Sequence, residues 1–212
     1  MIKRLCQISS RYGWRTPVVM AALLLVRWNL AVIWRGGLLV LLTRGKKGRG
    51  IKLGRGISVN PGALLEIGDN LIWEGPSTVR VNTSGNAIIG IGNNVWISQG
   101  LQLYACNSIL IGNEVMIGES VSMRDSTHSV GRLDMPMQSQ GDVYGSIRIE
   151  DDVWIGRGVF IQGKPAGTVI GRGAIVGANS VVVKSIPAME IWGGVPAKFI
   201  RRRNSAFGPG GN

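Results

Sequence analysis

The chain contains one histidine, His128, in the run Arg124-Asp125-Ser126-Thr127-His128-Ser129. An imidazole has an ordinary pKa of about 6.5, so it can take up a proton during a reaction near neutral pH. With one histidine, a metal site that needs two or three imidazoles is excluded within a single chain. The two cysteines, Cys6 and Cys106, lie far apart and form no metal or redox spacing. They rule out a disulfide framework and fit a reducing compartment. Taken alone, His128 is more readily a surface loop residue than a base, and Asp125 is a common turn residue. The elements around them must decide.

After residue 50 the sequence has a period of six. An aliphatic or large apolar residue ahead of a small or polar one falls at Leu53, Val59 and Leu65, then at Ile67, Trp73 and Val79. It recurs at Ile91, Ile97 and Leu103; Ile111, Ile117 and Met123; Ile149, Ile155 and Ile161; and Ile170, Val176 and Val182. Six fits neither a helix at 3.6 nor a plain two-residue alternation. It suits a short strand and a turn, repeated, with one side chain per repeat pointing inward and the coils stacked on one another. The composition agrees: 32 glycines, about twice the usual share of roughly 7%, supply tight turns. The repeat breaks after Met123 and resumes at Ile147, so a polar loop with His128 at its base interrupts a compact solenoid, a common location for function.

From residue 50 to 203 the sequence resembles the hexapeptide-repeat acyltransferases. The residues that carry the resemblance are the hexads themselves, the segment Asp152-Val153-Trp154-Ile155-Gly156, and the run from Val176 to Pro187. The closing Gly194-Val195-Pro196-Ala197-Lys198-Phe199-Ile200 is specific to that family. The resemblance implies an all-β chain, a left-handed parallel β-helix of about six coils, assembled as a homotrimer. It implies that His128 is the catalytic base that deprotonates an acceptor hydroxyl, with Asp125 orienting the imidazole or holding the acceptor. It implies an acetyl-CoA site lined by Trp154 and Gly156, with the backbone of Gly177 and Ala178 on the pantetheine arm and Lys184, Lys198 and Arg201 on the phosphates. Phosphates need cations and N–H donors, which is the physical reason for those residue types. Trp96 has the same local sequence as Trp154, so that tetrapeptide is not specific. Gln162–Thr168 is longer than a hexad and is expected to bulge beside the coenzyme groove.

The net charge is +12, and residues 1–55 hold twelve Lys or Arg and no acidic residue; beyond them the charges cancel. That placement argues against a nucleic-acid binder and for a basic attachment segment. Residues 17–42 are mostly apolar but are broken by Arg27, Asn29, Arg35 and Gly36-Gly37. The expected organisation is a basic, apolar, helical segment at 1–50, the β-helix domain at 51–203 and a flexible tail at 204–212. The first segment is read as lying on an anionic membrane surface; packing on the oligomer and a true span are the alternatives.

The resulting expectation is a cytoplasmic O-acetyltransferase, at the inner membrane face, moving an acetyl group from acetyl-CoA to a saccharide hydroxyl. A saccharide or lipid-linked saccharide of polysaccharide biosynthesis is the expected acceptor, with no metal and no nucleic acid. The competing readings are a non-catalytic β-helix scaffold and a serine or other small-molecule O-acetyltransferase. Within the same fold family, a carbonic anhydrase needs three histidines and a nucleotidyltransferase needs a large extra domain, so neither fits this chain.

Overall fold

The computed structural model describes residues 43–203, and the expected helical segment and tail fall largely or wholly outside them. The described chain winds in coils. The first coil holds β1 (Lys52–Leu53), β2 (Ile57–Val59) and β3 (Leu64–Ile67); the second β4 (Ile72–Trp73), β5 (Ser77–Val81) and β6 (Ile88–Ile91). The third holds β7 (Trp96–Ile97), β8 (Gln102–Ala105) and β9 (Ser108–Ile111). The fourth begins with β10 (Met116–Ile117) and β11 (Ser122–Arg124), leaves the coil through a hairpin of β12 (Ser126–His128) and β13 (Asp142–Tyr144), and returns as β14 (Ser146–Ile149). The fifth holds β15 (Trp154–Ile155), β16 (Phe160–Gln162) and β17 (Thr168–Ile170). The last has β18 (Ile175–Val176) and β19 (Val181–Val182), then β20 (Glu190–Gly193) and β21 (Lys198–Arg202).

These strands stack into three parallel sheets. Face one runs β1-β4-β7-β10-β15-β18-β20, with β21 added antiparallel at its end. Face two is β2-β5-β8-β11-β16-β19, and face three is β3-β6-β9-β14-β17. Isolated parallel bridges from Arg44 to Leu64 and from Lys47 to Ile67 carry the stacking back ahead of residue 51. The fold is therefore the expected parallel β-solenoid of about six turns. Among the described residues no helix is long and apolar enough to cross a membrane.

The hexad residues form the core. Register aligns Trp73, Ile97, Ile117, Ile155, Val176 and Trp192 on face one. It aligns Val59, Val79, Leu103, Met123, Ile161 and Val182 on face two, and Ile67, Ile91, Ile111, Ile149 and Ile170 on face three. All of these are buried except Val59, which is partly buried in the first coil. Each fully buried aliphatic side chain contributes about 1.5–3 kcal/mol of transfer free energy. A coil alone cannot bury its ladder, so each needs its neighbours.

The corners raise a second requirement, since a turn exposes amide N–H groups. At one corner Asp69, Asn93, Asn113 and Asp151 form a ladder. Each accepts the amide of the preceding coil at 2.6–2.9 Å, from Arg49, Asp69, Asn93 and Asn113 in turn. Beside it Asn70, Asn94, Glu114 and Asp152 adopt positive φ of 54–58°. Asn and Asp tolerate that region better than most side chains; Glu114 has no such advantage.

The hairpin is anchored at its base by Asp125, which is fully buried. Its carboxylate accepts the amides of Cys106 at 2.7 Å and Asn107 at 2.8 Å, on the preceding coil. Burial pushes the Asp125 carboxyl above its ordinary range, against the opposing pull of the backbone N–H groups. The Gln162–Thr168 segment packs here as well. Gln162 Nε2 donates to the carbonyls of Arg124 and Ser126, and the Ser146 amide donates to the Lys164 carbonyl. The extra residues thus sit at the corner between faces two and three, against the hairpin, rather than beside a groove on face one.

Two outcomes follow. Leu103→Ala should lower the unfolding free energy by about 2–5 kcal/mol, whereas its exposed neighbour Gln102→Ala should stay within about 0.5 kcal/mol in urea denaturation. For Asp125, a raised folded pKa means the folded chain binds the proton more tightly than the unfolded chain. Its contribution is complete below the unfolded value of about 3.9 and is lost as pH rises through the raised one. Measured against Asp125→Asn, which does not titrate, the wild type should lose relative stability as pH is raised from about 4; a difference independent of pH would contradict this.

Candidate active site

His128 ends β12, directly opposite Asp142 on β13 in the antiparallel register. Its Nδ1 lies 2.8 Å from Asp142 Oδ1, and its side chain is 75% exposed. With Nδ1–H donated to the carboxylate, Nε2 is left as the proton acceptor. The orienting carboxylate at the imidazole is thus Asp142 and not Asp125, whose oxygens are taken by the Cys106 and Asn107 amides inside the coil. Asp142 was hidden from sequence reasoning because it lies fourteen residues downstream of His128. Only the hairpin pairing brings the two together; an Asp after Gly141 was the one local signal.

A second feature lies on face one. A groove of about 640 Å³ is lined by Trp96, Met116, Glu119, Trp154, Gly156, Gly177 and Ala178, among others. Register explains its floor. Trp96, Met116 and Trp154 occupy the same outward position in successive coils and are 49%, 52% and 49% exposed. Four of the expected coenzyme residues therefore meet in one groove, and Trp96, left ambiguous by its sequence, joins them through its place in the ladder. Gly156 has a structural reason to be glycine: an added Cβ would lie 2.8 Å from the Ala178 amide nitrogen and 2.8 Å from the Val176 carbonyl oxygen. The Gly177 amide donates to the Trp192 carbonyl at 2.7 Å, joining the groove to β20.

The expected phosphate cations lie in the last coil. Lys184 Nζ sits 4.9 Å from the Trp192 ring centroid, a cation–π contact. The Trp192 indole donates to Glu190 Oε2 at 2.8 Å. Lys198 and Arg201 are exposed on β21, opposite Gly193 and Ile191. The closing motif makes this possible, because Ala197 tucks in as a buried residue with its amide on the Val181 carbonyl at 2.8 Å. None of these cations, and neither His128 nor Asp125, lines the groove. A single chain thus presents the base and the groove on different parts of the prism. Among the described residues no group of three or more His, Cys, Asp or Glu is placed to hold a metal ion.

No protein-family model matches the chain. A putative lipopolysaccharide biosynthesis O-acetyl transferase of Escherichia coli K12 is 32% identical over 133 residues, 59% of this chain and 66% of that protein. The galactoside O-acetyltransferase of the same organism is 32% identical over 139 residues, 65% of this chain and 64% of that protein. The chain spans between 43% and 66% of the length of the first curated relatives it matches. Among solved structures, a hexapeptide-repeat-containing acetyltransferase of Vibrio cholerae is 27% identical, with a TM-score of 0.60 over 86% of each chain. The same protein solved with acetyl coenzyme A is 26% identical with a TM-score of 0.57, over 86% of this chain and 83% of that one. The stacked hexads, the closing coil and these likenesses together make the chain a member of the hexapeptide-repeat acyltransferase family.

Proposed function

We propose that the protein is an O-acetyltransferase that moves an acetyl group from acetyl-CoA to a saccharide hydroxyl. The observation that carries this reading is the exposed His128 imidazole, held through Nδ1 by Asp142 at 2.8 Å. A sugar hydroxyl is a poor nucleophile near neutral pH, and a positioned base contributes about 10²–10⁴-fold. His128 Nε2 takes the hydroxyl proton as the oxygen bonds to the thioester carbonyl carbon. The carbon–sulfur bond then breaks, and the imidazolium returns the proton to the departing thiolate. Asp142 holds the ring and offsets the charge it gains. Backbone N–H groups stabilise the oxyanion that forms between the two steps.

The residues present fit the donor. The groove has glycine and alanine backbone at Gly177 and Ala178, open enough for an extended arm, and Trp154 forms part of its apolar floor. Lys184, Lys198 and Arg201, in the coil that holds Gly177 and Ala178, supply cations for phosphates. Because the base and the groove lie apart in one chain, the reading includes a homotrimer in which the hairpin of one copy meets the groove of the next. The exposed stripe of Trp96, Met116 and Trp154 supports that packing.

The acceptor class follows the relatives. One is a galactoside O-acetyltransferase, and others are putative lipopolysaccharide and colanic acid biosynthesis acetyltransferases. With the charge of residues 1–55, this favours a saccharide or lipid-linked saccharide handled at the cytoplasmic face of the membrane. Removing residues 1–42 should shift the protein from the membrane to the soluble fraction of a lysate; unchanged partition would end the membrane reading.

Acetyl-CoA titrated into the protein in a calorimeter should bind saturably. Lys198→Ala should weaken that binding about tenfold, the loss of roughly one charged contact. His128→Ala should bind acetyl-CoA as the wild type does and lose about 10²–10⁴-fold in kcat, with Asp142→Asn falling between. Folded trimer that binds no acetyl-CoA at millimolar concentration would favour a scaffold.

A further inference from the structure

Face two is free of acidic side chains. Its strands β2, β5, β8, β11, β16 and β19 contain no Asp or Glu, but they carry two exposed arginines, Arg80 on β5 and Arg124 on β11. Register sets Arg80 beside Tyr104 and Tyr104 beside Arg124, at outward positions of three successive coils. The Arg124 guanidinium lies 4.7 Å from the Tyr104 ring centroid. Neighbouring strands lie about 4.8 Å apart, so the backbone positions of the two arginines flank that of Tyr104 across roughly 10 Å. Arg80 Nη1 has only neutral partners, Ser58 Oγ at 3.4 Å and the Val79 carbonyl at 3.2 Å. None of the salt bridges among the described residues involves either arginine. Asp125, next to Arg124 in the chain, is occupied by two amides inside the coil, and Asp142 by His128.

This strip leads to the base. β11 ends at Arg124, and the chain passes through the buried Asp125 into β12 and His128, four residues on. At about 3.3 Å per extended residue, the two backbone positions are at most about 13 Å apart. A hexose with a charged substituent spans that gap together with the reach of an arginine side chain. A guanidinium fork matches phosphate and carboxylate, and an aromatic face packs against the apolar face of a ring.

We propose that Arg80, Tyr104 and Arg124 form a subsite for the anionic group of an acidic saccharide acceptor, with its reacting hydroxyl presented to His128. The proposal rests on the acyltransferase reading and narrows its substrate class. The anion is a sugar phosphate or a uronate, which the same fork recognises. The coenzyme phosphates belong to a different set of cations, Lys184, Lys198 and Arg201, in the last coil.

The test is calorimetric and does not depend on turnover. Full-length protein is titrated with galactose 1-phosphate, galacturonic acid and galactose, as wild type and as Arg124→Gln, Arg124→Lys and Arg80→Gln. At least one acid should bind, with galactose at least about tenfold weaker. Arg124→Gln should lower the acid's affinity about tenfold and leave galactose and acetyl-CoA unchanged. Arg124→Lys should recover part of the loss, and Arg80→Gln, on a separate strand, should repeat its direction. Which acid binds separates a phosphate from a carboxylate ligand. Binding of neither acid, equal binding of acid and neutral sugar, or acid binding indifferent to both arginines would overturn the subsite. Acid binding through Arg124 in a protein that neither binds acetyl-CoA nor transfers acetyl would overturn the acyltransferase reading and keep the anion site.

Discussion

Parallel pairing between successive coils is the constraint on which the rest of this protein depends. Each strand is two to five residues long, too short to be stable alone, and is held by the strands above and below it. Pairing in register puts like positions over like, so one inward residue per hexad becomes a continuous ladder from Leu53 through Ile117 to Trp192. The same pairing forces the corners together. Gly156 has no room for a Cβ against the next coil, and the Asp69–Asn93–Asn113–Asp151 ladder satisfies amides that the turns would otherwise strand.

Register that orders the core also orders the surface. In a strand, alternate side chains point outward, so stacking coils builds outward ladders as regular as the inward ones. On face one this gives Trp96, Met116 and Trp154, the floor of a groove. On face two it gives Arg80, Tyr104 and Arg124. Neither set is adjacent in sequence, and each converges because the coils stack in register and the repeat is short. The proposed base sits where the repeat is broken. The hairpin leaves the fourth coil at a corner pinned by Asp125 and Gln162, and this carries His128 and Asp142 clear of the wall while fixing their mutual distance.

The hexad repeat was legible without a structure because it is a local rule. Seventeen of its eighteen inward positions are buried, and the remaining one, Val59, is partly buried in the first coil. His128 was legible for a similar reason, as the only imidazole at the only long break in the repeat. The groove residues Trp154, Gly156, Gly177 and Ala178 came from a resemblance, and the coil spacing explains why they converge. Asp142 and the arginine strip were not legible. Their partners lie fourteen to twenty-four residues away, and nothing in the intervening sequence marks which residues will face each other.

By itself the sequence determined the solenoid, its six coils and the place of its interruption. Each follows from a period of six repeated until one pattern alone could bury it. Only the tertiary structure decided which carboxylate serves His128. Asp125 follows β11 directly, but its side chain turns into the coil to satisfy two amides, where an unpaired N–H would cost about 1–3 kcal/mol. Asp142, distant in sequence, is brought opposite His128 by the hairpin register, because pairing of backbone groups and not nearness along the chain sets which side chains meet.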